Sequence, residues 1–108
     1  MKKLFISQPM NGLTDAEILA ERNRIIEKVG YLLDEPFEPI ESFFQSAPHE
    51  AKPLWFLGKS LELLSTADIA VFGKGWENAR GCRIENLCAK EYGIYTIEIG
   101  KGTEVNPA

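Results

Sequence analysis

Apolar residues along this chain come in two rhythms, short unbroken runs and repeats at helical spacing, and the two alternate from one end to the other. Lys3–Ser7 (KLFIS) is a brief apolar run that gives way to polar and turn-forming residues, which predicts a buried strand. Thr14, Asp15, Ala16 and Glu17 spell a capping box, and Ile18, Ile25, Ile26, Val29, Leu32 and Leu33 recur behind it at helical spacing, predicting an amphipathic helix. Asp34–Ile40 (DEPFEPI) carries two prolines, so a strand here is short and belongs at a sheet edge, where a missing amide donor is tolerated. Glu41–Lys52 reads as a loop. Pro53 suits the first turn of a second helix that runs to about Ser65, with Leu54, Leu57, Leu61 and Leu64 in helical register.

Asp68 opens the next apolar run, Ile69–Phe72, which is too short for a helix and rich in β-formers, as a central strand would be. Gly73 and Gly75 end it. A third helix follows from about Ala79 to Tyr92, with Ile84, Leu87, Cys88 and Tyr92 on one face and Gly93 in a helix-terminating position. Ile94–Ile99 is the last strand. Strands alternating with helices imply right-handed crossovers and a small, mostly parallel sheet of four or five strands, covered on both faces. The expected fold is therefore a single α/β domain over residues 1–108, a Rossmann-like three-layer sandwich. In such sheets ligands bind at the carboxyl ends of the strands, near the point where strand order reverses. Two loops reach that edge, Ser7–Gly12 and Gly73–Gly81.

Composition narrows the partners. A formal net charge of -4 argues against a nucleic-acid polymer, whose binding rests on clustered Lys and Arg, and leaves a small molecule as the expected ligand. No apolar run approaches the roughly 20 residues needed to span a bilayer, and the N-terminus is too short for a signal-peptide core, so no membrane association and a cytoplasmic location are expected. Cys82 and Cys88 are separated by about 9 Å along a helix, beyond the reach of a disulfide. With one histidine, His49, and no CxxC pair, no zinc site is indicated; His49 is read as a surface residue of the loop.

Neither GxGxxG nor GxxxxGK[ST] occurs, so no nucleotide cofactor is called for. The first loop, Ser7, Gln8, Pro9, Met10, Asn11 and Gly12, leads into a helix whose free amides suit an anion or a sugar hydroxyl, although a plain turn explains it as well. In the second loop Gly75 allows close backbone approach, Trp76 offers a flat face for a planar base or an anchor for the loop, and Asn78 offers polar contacts or an N-cap. Arg80 and Arg83 are candidate phosphate contacts. Cys82, near the helix start, is a candidate nucleophile without a histidine partner. Glu85, one turn into the helix, is a candidate carboxylate nucleophile of the kind that forms a covalent glycosyl intermediate, or else a solvated helix glutamate.

Three segments together, KLFISQPMNG, STADIAVFGKGW and ARGCRIENLCAKEYGI, resemble the nucleoside 2-deoxyribosyltransferase superfamily, most closely its short, little-characterised deoxyribosyltransferase-like members. The resemblance covers most of the chain. It implies a flavodoxin-like sheet, a homodimer or higher homo-oligomer, and cleavage or exchange of the base of a (deoxy)nucleoside or nucleoside 5'-monophosphate. Glu85 matches the family's nucleophile, and Ser7, Gln8, Met10, Asn11, Gly12, Gly75, Trp76, Asn78 and Gly81 would contact substrate. No cofactor or metal is implied. The chain departs from the family's pattern at Ser60, where an Asp is usual, at Ala79 and at Arg83. These departures open an alternative, a non-catalytic nucleotide- or metabolite-binding module that retains the pocket.

Overall fold

The structure, a computed structural model, describes residues 1–42 and 50–99, together with the backbone of a short strand at Val105–Pro107. The order of elements is β1 (Lys2–Ser7), α1 (Asp15–Leu32), β2 (Phe37–Pro39), α2 (Pro53–Leu64), β3 (Ile69–Phe72), a single 3-10 turn (Trp76–Asn78), α3 (Arg80–Glu91), β4 (Tyr95–Ile99) and β5 (Val105–Pro107). His49 and most of the expected loop fall outside the described residues.

Four strands run parallel in the order β2-β1-β3-β4, and β5 adds an antiparallel edge to β4. This is an α/β fold of the flavodoxin/Rossmann-like kind. The chain leaves β1 toward β2 on one side and then continues on the other side through β3 and β4. Strand order therefore reverses between the carboxyl ends of β1 and β3.

Alternation along the strands builds two cores. Leu4, Ile6, Ile69, Val71, Ile97 and Ile99 face Ile25 and Val29 of α1, while Phe5, Ala70 and Phe72 face Leu64 of α2 and Ala89 of α3. Both faces of β1 and β3 are thus covered, which is why Ile69–Phe72 is apolar without interruption. The short β2 lies at the edge, where its proline costs no ladder bond that matters. The capping box forms as read: Thr14 Oγ1 accepts from the Glu17 amide at 3.1 Å, and Glu17 Oε1 accepts from the Thr14 amide at 2.9 Å. Gly93 ends α3 at φ +75°, a left-handed conformation that glycine adopts without strain. Both cysteines are free thiols, and no helix among the described residues is long and apolar enough to cross a membrane.

The helix faces differ from the sequence reading. On α3 the buried residues are Cys82, Glu85, Asn86 and Ala89, whereas Leu87 and Tyr92 are 60% and 85% exposed. The reason is rotational: the stripe that meets the sheet is the one ending on Ala89, whose small side chain allows close approach. On α2 only Leu64 is fully buried, and Leu54 is 76% exposed. On α1 the buried stripe Ile18, Arg22, Ile25, Val29 includes an arginine, and Leu32 lies outside it.

Gly73 sits where α1, β3 and the first loop converge. A Cβ at this position would lie 3.0 Å from Ile25 Cδ1 and 3.3 Å from Gln8 Cβ. Gly73→Ala should therefore destabilise the fold by about 1–3 kcal/mol, the usual cost of overpacking. Ile25→Val, which removes the closer methyl, should recover part of that loss in the double variant. Urea unfolding of the two single variants and the double variant measures the coupling.

Candidate functional site

β1 and β3 end side by side, and the loops that leave them turn toward α2 and the start of α3. Between these elements lies an open cleft of about 830 Å³, within the range of small-ligand sites. The loop after β3 is held by backbone bonds from the Gly73 amide to Ser7 O at 2.8 Å, from Trp76 N to Gly73 O at 3.0 Å and from Asn78 N to Gly75 O at 3.0 Å. Gly75 supports this path at φ +84°. The loop after β1 is tied down by Gln8, which is buried and donates through Nε2 to Ile18 O at 3.1 Å.

Glu85 lies at the inner wall, 8% exposed, and its Oε1 accepts a 2.6 Å hydrogen bond from the Ser7 hydroxyl. Burial raises the pKa of this carboxyl above its ordinary value, while hydroxyl donation from Ser7 and from Ser60 of α2 opposes the shift without cancelling it. Ser60 is thus a neighbour of Glu85 in the lining of the cleft. Cys82, one turn earlier on α3, is pushed up to about 11 by burial; Ser7 counteracts this and the Glu85 charge adds to it. Burial thus favours the thiol of Cys82 over the nucleophilic thiolate.

The structure gathers most of the residues named from sequence. Ser7, Gln8, Met10, Asn11, Gly75, Asn78, Gly81 and Glu85 all line the cleft. Gly12 and Trp76 do not. Gly12 lies beyond the lip in a left-handed turn at φ +81°, and Trp76 leans on Phe72 with ring centroids 5.7 Å apart, as an anchor of the loop. Asn78 is not an N-cap; it closes the 3-10 turn, and the N-cap of α3 is Ala79, which has no side-chain cap to offer. Arg80 lines the cleft, whereas Arg83 donates to Glu77 O at 3.0 Å outside it.

Other contributors were not read from sequence. Pro53, Phe56 and Leu57 of α2 supply an apolar wall, and Ser42 forms part of the rim. Buried Arg22 positions that rim, donating to Ile40 O at 2.8 Å and to Ser42 Oγ at 3.4 Å and pairing with Glu41 at 3.7 Å. Its signal was available: Arg22 falls on the apolar stripe of α1, four residues after Ile18 and three before Ile25.

With this geometry in view, comparison with family models gives one match, over residues 2–98, to a domain of unknown function (DUF4406). The chain belongs to the DUF4406 family. Comparisons with curated proteins and with solved structures gave no match. The DUF4406 match takes in β1 through most of β4, and so every element that lines the cleft. Among the described residues no group of three or more His, Cys, Asp or Glu is placed to hold a metal ion.

The raised Glu85 pKa has a consequence for stability. Protonated Glu85 stabilises the fold fully below its unfolded pKa near 4.5, and that contribution is lost as pH rises through the higher folded pKa. Glu85→Gln keeps an acceptor for Ser7 and carries no charge. Its melting temperature should exceed that of the native chain at pH 7, and the gap should close below about pH 4.5; thermal melts across this range test it.

Proposed function

We propose that this DUF4406 protein cleaves or exchanges the base of an N-glycoside, a (deoxy)nucleoside or its 5'-monophosphate, with Glu85 as the carboxylate that attacks the anomeric carbon. One observation carries the reading: a glutamate on the sheet-facing side of α3 is withdrawn from water, oriented by the Ser7 hydroxyl and still open to a cleft of ligand size. A carboxylate held this way is costly to keep in a fold and is the kind of perturbed group that clusters at functional sites. Its ionised form would add to the sugar and release the base, and water or a second base would then resolve the glycosyl ester.

The surroundings support the same substrate class. Phe56 and Leu57 offer an apolar wall for a planar base, Asn11 and Asn78 offer polar contacts for a sugar, and Arg80 at the uncapped start of α3 suits a 5'-phosphate. The likeness of KLFISQPMNG and ARGCRIENLCAKEYGI to the deoxyribosyltransferase-like proteins belongs to this proposal, as do a cytoplasmic location and assembly into a homo-oligomer. Exposed Leu54 and Leu87 favour assembly, and light scattering at several concentrations measures it.

Nucleosides, deoxynucleosides and their monophosphates, carrying both neutral and cationic bases, form the test panel, with release of free base followed chromatographically. Base release should occur with at least one of them and fall by several orders of magnitude in Glu85→Gln. Equal rates in the variant would remove Glu85 from the chemistry. Saturable thermal stabilisation by ligands that stay intact would favour the binding-module alternative.

A further inference from the structure

The groups that act on the Glu85 carboxylate from β1 and α2 are hydroxyls. Ser7 donates to Oε1 at 2.6 Å from the end of β1, and Ser60 on α2 lies near enough to oppose the rise in its pKa. Cys82, on Glu85's own helix, is a thiol held near 11 by burial, Arg80 is a fixed cation, and the Gln8 amide is engaged with the backbone of α1. Among the described residues that line the cleft, Glu85 is thus the single carboxyl, and no histidine or lysine stands beside it. It cannot attack C1' as a carboxylate and protonate the departing base in the same step.

Neutral nucleosides need that proton. Their bases leave as anions unless a general acid protonates the ring, a contribution typically worth about 10²–10⁴ in rate. An N-glycoside whose base is already cationic, such as a pyridinium or an N7-alkylated purine, has no such need, because the electrons of the breaking bond neutralise the ring. A cationic base also finds a partner at the inner wall: Glu85 is the one acidic group in the described lining, Phe56 on α2 contributes an aromatic ring beside an apolar surface, and Arg80, the one cation of the lining, stands at the start of α3, where a 5'-phosphate would sit.

We propose that the cleft selects N-glycosides of cationic bases, which Glu85 attacks as a carboxylate without a second acid to protonate the leaving base. This rests on the glycosidase reading above. In the first step a Glu85 oxygen bonds to C1', the C1'–N bond breaks, and its electron pair goes to the ring nitrogen, so that the base departs neutral. In the second step water adds to C1', the ester bond to Glu85 breaks, the sugar leaves with a free anomeric hydroxyl, and one proton passes to solvent. The serine hydroxyls steady the carboxylate in both steps and give up no proton.

The paired substrates 7-methylguanosine and guanosine, together with nicotinamide riboside and thymidine, test the proposal on the full 108-residue chain. Each enzymatic rate is divided by the uncatalysed rate of the same compound. The cationic members should show rate enhancements about 10²–10⁴ larger than the neutral ones, with a kcat/KM for nicotinamide riboside, whose ring charge does not titrate, that rises with pH to a plateau and has no descending limb. Binding of 7-methylguanosine below that plateau should release a proton, seen in calorimetry as a heat that depends on the buffer's ionisation enthalpy, and Glu85→Gln should abolish the release. Guanosine or thymidine accelerated as strongly as the cations would overturn the substrate class and leave the glycosidase reading standing. Base release from none of the four, with other nucleosides and monophosphates also intact, would remove both. Ser60→Asp, which places a second acid in the lining near Glu85, should narrow the gap between guanosine and 7-methylguanosine at least about tenfold. An unchanged ratio in a cooperatively folded variant would count against the proposal.

Discussion

The hydrogen bond from Ser7 to Glu85 ties the last residue of β1 to the buried side of α3 across 78 positions of sequence. Everything that makes the cleft a chemical site depends on it. A carboxyl group withdrawn from water must find donors or lose its charge, and here a hydroxyl at a strand end provides the donor while a hydroxyl on α2 also favours the charged form. The balance is incomplete by design of the surroundings: burial still outweighs the two hydroxyls, leaving Glu85 more easily protonated than a surface glutamate. The group is therefore responsive to whatever charge enters the cleft.

The scaffold's role is to bring β1 and β3 to the same edge with their ends in register. Parallel pairing sets Ser7 opposite Phe72, and the turn after Phe72 then has to double back toward α3 without a side chain at Gly73. Reversal of strand order at this edge separates α1 from α2 and α3 on opposite faces, which opens the space between the two loops. The chemistry-bearing residues are spread over β1, α2 and α3, so no short segment contains the site.

Much of the architecture was legible in the chain. Short apolar runs and helical repeats marked β1, β3, β4 and the three helices to within about a residue, because a central strand buried on both faces must be apolar throughout and a capping box announces its helix; β2 is shorter than the segment Asp34–Ile40, and β5 follows what the sequence marked as the last strand, since a three-residue antiparallel edge carries no apolar run. Helix rotation was less legible. Reading Ile84, Leu87, Cys88 and Tyr92 of α3 as one face assumed that the apolar side packs inward, whereas Ala89 governs the approach and carries Glu85 and Asn86 into the interior with it. Asn86 is accommodated by donating to Glu98 at 3.0 Å, on a strand residue also paired with Lys90 at 2.7 Å. The same misjudgement hid Arg22. A polar residue on an apolar stripe is the visible trace of a buried contact, but its partners, Ile40 O and Ser42, lie on a loop that no local pattern predicts.

Arg22 also links parts of the protein that play separate roles. Its backbone belongs to a helix that packs on the face of the sheet away from α2 and α3, yet its guanidinium reaches the edge to hold the segment bearing Ser42, which itself donates to Ile6 O at 3.4 Å. The rim of the cleft is thus fastened from behind, by a residue that does not line it. Substitutions along α1 can reshape the entrance without altering any wall residue, so a family of such proteins can vary what it admits while leaving the Ser7–Glu85 pair untouched.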